Sequence, residues 1–405
     1  MKAARASMVP RARATSPIAG FLAASVVALT LATGACTYPP TSDSAPVAAP
    51  TGAAAIDVPG LEFFAQAMIG QGATAVVVEV NVRGNKWAKG YGVRNVDAQH
   101  PAEVTDRIPA GGITKSMVSV SLLKLVEEGT VSLDDPVSKH LPEFNTLVHA
   151  SDAVTVRSLL NHTSGLADPT GPMLRSQSLK QAINTRFSPE DILRLAGTAP
   201  WAERLAPQFT YSEANYAALA LIIQRYRHHS ISDVLADNIF EPLGLSRTTL
   251  GGPDRSEPDL IHSYSLLDGE RLDVTEPELQ LGSAGAGVIS SVGDVNSFYA
   301  ALMRGRLLGP AALTEMETIN GANYGLGLQR WNDECTNGFY YGHGGSTLGF
   351  GGISVSSADG NRQLSLGIAY PPDTGAENDA MVAALTQPVS GRLRDLAITT
   401  LNGLC

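Results

Sequence analysis

The stretch from Asp106 to Gly129, D-R-I-P-A-G-G-I-T-K-S-M-V-S-V-S-L-L-K-L-V-E-E-G, constrains the fold more than any other. It reads as a short entry loop and then one long helix opening near Gly112. Met117, Val118, Val120, Leu122, Leu123, Leu125 and Val126 are apolar almost all the way round, and the polar residues between them are mostly small. A helix of that kind belongs in the middle of a sizeable domain. Glu127 and Glu128 return it to solvent, and Gly129 can supply a left-handed C-cap. Lys115 stands at its buried start, a long cation that is costly to hide without a purpose.

Around this helix the chain divides by periodicity. Leu61 to Ile69 reads as a first helix. Thr74 to Val82 is β-branched and strand-like, and Arg83-Gly84-Asn85 turns it into a return strand over Lys86 to Val93. Helices are expected over Ser132–Leu141, Val156–Leu160, Pro189–Leu195, Tyr216–Arg225, Ile231–Phe240 and Asp294–Arg304, the last preceded by a small-residue loop at Gly282–Gly287. Strands return at Gly338–Tyr341, Gly351–Ser356 and Gln363–Tyr370, before a closing helix over Arg392–Leu401. Strands at both ends with helices between them predict an α+β fold. One sheet is built from the N- and C-terminal parts, flanked by helices, with an all-helical subdomain inserted.

The first 35 residues are read apart from this fold. Lys2, Arg5, Arg11 and Arg13 precede an apolar run from Ile18 to Leu31, and Thr33-Gly34-Ala35 lead into Cys36. That is the pattern of a signal peptide, and the small residues before Cys36 point to lipidation there. Residues 36–56, rich in Pro, Ala, Ser and Thr, are expected to be a flexible tether, with the folded domain over 57–405. The protein is therefore expected outside the cytoplasm, on the outer face of the cell membrane as a lipoprotein, or secreted. Loss of four cations and no acid from residues 1–35 takes the formal charge from -10 to -14 (-10 - 4). Such an acidic protein has no electrostatic case for nucleic acid. With Cys36 lipidated, Cys335 and Cys405 are left as an even pair, and a disulfide is expected between them.

Several chemistries are excluded or unsupported. Thr114-Lys115-Ser116 has Thr where a phosphate-binding loop needs Gly, and no G-x-S-x-G is present. The segment Gly282–Gly287 does not follow a strand in a βαβ unit, so neither a dinucleotide nor any other cofactor is indicated. The eight His residues are scattered, without carboxylates at ligand spacing, so no metal site is expected.

Three segments in order carry the chemistry: A-G-G-I-T-K-S around Lys115, Y-S-E-A-N-Y from Tyr211, and Y-G-H-G-G-S-T-L-G-F from Tyr341. Together with T-V-R-S-L-L-N-H-T-S-G-L, E-P-L-G-L and G-A-G-V-I-S-S-V-G-D-V, they resemble the penicillin-recognising serine hydrolases. That family includes class C β-lactamases, D-alanyl-D-alanine carboxypeptidases and related esterases. The resemblance covers roughly residues 60 to 370. It implies the β-lactamase/DD-peptidase-like fold and an S-x-x-K pair in which lysine and tyrosine take the proton of the attacking serine. Lys115 matches that lysine, Tyr211 the tyrosine, and His343 to Gly345 the substrate-holding third motif. Ser346 N–H would be one donor of the oxyanion hole.

Two positions depart from the pattern. Gly112 stands where the nucleophilic serine belongs, and Glu213 where Y-x-N has Asn. Loss of such a serine costs on the order of a million-fold in turnover. Ser116 points about 100° round the helix from Lys115 and is poorly placed to replace it. Three readings follow. The protein is a catalytically impaired scaffold that binds a peptidoglycan peptide or a small ester or amide ligand; or a hydrolase using water in the space left by the serine, with Glu213, Tyr211 or Lys115 as base; or an otherwise normal hydrolase carrying a variant at Gly112.

Overall fold

A computed structural model describes residues 56–182, 184–203, 206–251, 257–267, 270–275, 284–371 and 391–405. The signal peptide, almost all of the tether, Cys36 and part of the Gly282–Gly287 loop lie outside these residues. Among those described, no helix is long and apolar enough to cross a membrane.

Helix α1 (Pro59–Gly70) leads into the hairpin β1 (Ala75–Val82) and β2 (Asn85–Gly92). Two-residue β3 (Ile108–Pro109) and a 3-10 turn at Gly111–Ile113 precede α2 (Thr114–Glu127). The helical region holds α3 (Val137–His140), α4 (Phe144–Val148), α5 (Val156–Leu160), α6 (Thr170–Ser176), α7 (Leu179–Ala182), α8 (Pro189–Gly197), α9 (Glu213–Arg227), α10 (Ile231–Leu235) and α11 (Glu241–Leu243). Then come β4 (Thr249–Leu250), the hairpin β5 (Tyr264–Leu267) and β6 (Glu270–Asp273), β7 (Val288–Ser290), α12 (Val292–Met303) and α13 (Pro310–Glu317). Strands β8 (Gln329–Asp333), β9 (Gly338–Thr347), β10 (Phe350–Ser357) and β11 (Arg362–Ala369) and a last helix α14 (Gly391–Asn402) complete it.

The main sheet has the order β2-β1-β11-β10-β9-β8 with every neighbouring pair antiparallel, so the N- and C-terminal parts of the fold meet at β1 and β11. Alternation along β1 explains the layers. Val76, Val78 and Val80 face a core shared with Leu61 of α1 and Leu393, Ala397 and Leu401 of α14. Ala75 and Val77 point the other way, toward Val292 of α12 and Phe350. Residue pairs 76/369 out of phase would turn every valine to the wrong face, which is why the register Val76↔Ile368 is fixed by burial.

The largest core surrounds α2. Eleven of its fourteen residues are buried, from Thr114 to Leu123 and Leu125, packed by α9, α5 and their neighbours. Full burial of each Leu or Met there stabilises by about 1.5–3 kcal/mol relative to exposure.

Some boundaries differ from expectation. The helix expected over Ser132–Leu141 is only Val137–His140, because Pro136 disfavours helical backbone at Asp135 and itself takes an extended N-cap conformation. Helix α9 begins at Glu213, three residues earlier than the apolar pattern suggests, because extended Ser212 caps it through the Ala214 N–H. Strand β9 runs on through the third motif to Thr347, which a glycine-rich sequence conceals.

Candidate active site

The first wall of the site is the 3-10 turn that opens α2. Gly111 sits at φ +54°, left-handed backbone that favours glycine, and a Cβ there would lie 2.5 Å from Ser346 N. Gly112 differs, since its backbone is not left-handed. A Cβ at position 112 would lie 2.7 Å from Gly344 O and 3.1 Å from His343 Cε1. What opposes a side chain at position 112 is the approach of β9, which would have to shift to admit a serine.

On β9 itself, the register Gly345↔Gly352 and His343↔Ser354 lets two glycines cross where the strands are closest to the turn. A Cβ on Gly345 would strike Ala110 O. His343 is buried, and its ring is fixed from both sides. Its Nδ1–H donates to Gly344 O at 2.5 Å, since a carbonyl can only accept, so Nε2 accepts from Tyr324 O–H at 2.9 Å. Burial pushes its pKa down to about 3, with the Lys115 charge acting the same way. The third motif therefore presents a neutral imidazole.

The second wall belongs to the helices. One residue into α2, Lys115 is fully buried, and its Nζ meets three acceptors: Glu213 Oε1 at 2.8 Å, Glu213 Oε2 at 2.9 Å and Gly285 O at 2.8 Å. It also lies 5.0 Å from the ring centre of Tyr211 and 5.4 Å from that of Tyr216. Glu213, 4% exposed, is placed by the start of α9, where its own N–H donates to Asp168 Oδ2 at 3.0 Å. Tyr211 O–H donates to Glu213 Oε1. Burial, reinforced by the Glu213 charge, raises the Tyr211 pKa well above the usual phenol range. It stays a protonated donor and cannot act as a phenolate base. Burial likewise raises the Asp168 pKa, and Glu213 adds to that.

Lys115, Tyr211 and Glu213 thus converge. His343 and Gly345 face the turn carrying Gly112, and Ser346 N lies beside Gly111. Glu213, a candidate base in one of the three readings, is buried against Lys115. Neighbouring hydroxyls are committed elsewhere. Ser116 Oγ bonds to Gly327 O at 2.6 Å and Tyr299 Oη at 2.9 Å, and Thr114 Oγ1 accepts from Val288 N–H at 3.1 Å. Cys335 and Cys405 stand far from this chemistry, with their Cα atoms 5.4 Å apart, within disulfide geometry. Among the described residues no group of three His, Cys, Asp or Glu side chains could hold a metal.

Sequence reasoning does not find four residues of the site as such. Asp168 acts through its carboxylate on the Glu213 backbone and Gly285 through its carbonyl, and Tyr324 has no motif spacing to mark it. His162, within N-H-T-S-G-L, accepts from Asn215 Nδ2–H at 2.9 Å and Ser212 N–H at 3.3 Å. Burial pushes its pKa well below the usual imidazole range.

Comparison with known proteins agrees with this architecture. Residues 62–370 match the Beta-lactamase family. Protein flp of Staphylococcus aureus (strain MW2) is 31% identical over 195 residues, 48% of this chain and 38% of that protein. The putative penicillin-binding protein PbpX of Bacillus subtilis (strain 168) is 26% identical over 223 residues, 54% of this chain and 52% of PbpX. The chain thus spans no more than about half the length of these two relatives. The crystal structure of a D-stereospecific amidohydrolase from Streptomyces superposes with a TM-score of 0.69 at 25% identity, over 82% of this chain and 99% of that one. With the family's motifs gathered at one site and its fold matched over most of the chain, this protein belongs to the beta-lactamase family of penicillin-binding-protein-like hydrolases.

Proposed function

We propose that this family member has lost covalent acyl transfer and that its cleft binds a peptidoglycan peptide or a small ester or amide without forming an acyl-enzyme. Export and a lipid anchor at Cys36 would hold it at the outer face of the membrane, as the N-terminal residues suggest. One observation carries the reading: no hydroxyl stands at position 112, and β9 fills the place where one would stand. The same closeness speaks against water occupying a vacated serine site. Glu213 is a poor candidate to activate such a water, because both of its oxygens accept hydrogen bonds from Lys115.

The test uses the full-length protein with a labelled penicillin, a p-nitrophenyl ester and a D-amino acid amide, the last chosen because the Streptomyces neighbour is an amidohydrolase. Expected are no stable label and no turnover above background. Stoichiometric labelling, or hydrolysis that saturates with substrate, sinks the reading. Hydrolysis lost on Glu213→Gln would instead establish the water mechanism.

A further inference from the structure

The contacts of Lys115 say something that the missing serine does not. An ammonium has three N–H donors, and three acceptors meet Nζ: two Glu213 oxygens and Gly285 O. Both Glu213 oxygens belong to one carboxylate on one side of Nζ, so the contact is a buried ion pair, and its negative charge favours the protonated amine. A lysine that is to take a proton must offer a lone pair. The carboxylate at position 213 selects the form that cannot.

The surroundings hold Glu213 in this position. Asp168 fixes its backbone N–H, and Tyr211 O–H occupies Oε1 from the other side. Gly285 gives it room, since a Cβ there would collide with Glu213 Oε2. The helical wall is complete without any substrate.

We propose that Glu213 is a second block on the family's chemistry, independent of Gly112: it holds Lys115 as an ion-paired ammonium, so that restoring a serine alone does not restore a nucleophile. This rests on the reading of the site given above. An Asn at 213 would offer one acceptor and one donor in place of two acceptors. A neutral Lys115 could then donate to the Asn oxygen and to Gly285 O, leaving its lone pair for a hydroxyl at 112. In that variant the Ser Oγ proton passes to Lys115 Nζ as the Oγ–acyl bond forms and the p-nitrophenolate leaves.

Gly112→Ser, Glu213→Asn and the double variant are assayed beside the unmodified protein, with a p-nitrophenyl ester for turnover and labelled penicillin for acylation. The single variants should stay at background. The double variant should exceed Gly112→Ser by at least about 100-fold, the lower end of what a positioned general base supplies. If Gly112→Ser alone comes within a few-fold of the double variant, Glu213 is no lock. If both serine-bearing variants melt as the unmodified protein does and both stay at background, the block lies in the approach of β9 and the proposal is overturned. Should the Asn double variant not fold, Gly112→Ser with Glu213→Gln, which keeps the side-chain length, replaces it under the same criteria. Activity of the unmodified protein would refute the loss of chemistry proposed above, whereas the ratio between the two serine-bearing variants judges the lock.

Discussion

The two walls of the cleft are built by different forces. On the β9 side the site is set by backbone: two glycines in register with β10, a left-handed Gly111, and a neutral His343 held between Gly344 O and Tyr324. On the helical side it is set by charge, with Lys115 ion-paired to Glu213 and Tyr211 donating to the same carboxylate. A wall made by close backbone approach tolerates loss of a side chain and resists gain of one. A wall made by a buried ion pair resists loss of either partner. Gly112 and Glu213 therefore impair the family's chemistry for unrelated physical reasons.

Breaking the ion pair should give the largest effect. Glu213→Gln leaves Lys115 without its counter-charge, so that it must either stay an unpaired buried ammonium or give up its proton, and should cost about 3–5 kcal/mol in denaturant melts. Lys115→Met in the Glu213→Gln background should recover most of that, because no unpaired charge remains. Equal stability of Glu213→Gln and the unmodified protein would mean that charge does not hold this wall.

The β9 side has its own outer anchor. Cys335 lies between β8 and β9, and Cys405 ends the chain just beyond α14, 70 residues on. If the pair is bonded, reduction should lower stability by about 2–4 kcal/mol by freeing the unfolded chain. Two thiols reacting in the denatured, unreduced protein would end that expectation.

Acid should also act on the β9 side. The folded pKa of His343 lies near 3, below its ordinary value of 6.5. The unfolded chain therefore takes up a proton across that window and the folded protein does not. Stability is full above about pH 6.5 and declines as pH falls toward about 3. His162 shifts in the same direction. His343→Asn should flatten the decline measured by urea melts at pH 4 to 7, and an unchanged slope would show that His343 does not contribute.

Much of this was legible in the chain. The seven apolar residues of α2 demanded burial wherever they lay, and the β-branched run of β1 demanded a strand. The resemblance of three ordered motifs to those of the family implied that Lys115, Tyr211 and His343 share one site. Other features escaped. The length of β9 was hidden by Gly342, Gly344 and Gly345, which weaken any strand pattern while permitting the close crossing that the fold requires. Asp168, Gly285 and Tyr324 contribute through long-range contacts, which leave no local periodicity.

By itself, then, the sequence determined that Lys115 would be buried at a helix start and that no serine would stand one turn before it. Both are properties of residue identity and local spacing. Only the tertiary structure decided what those facts mean together. It brought both oxygens of a carboxylate 98 residues away onto one ammonium, and it laid β9 across the space where a side chain at 112 would go. Ion pairing and backbone approach are properties of atoms meeting in space, and neither is written in the order of the chain.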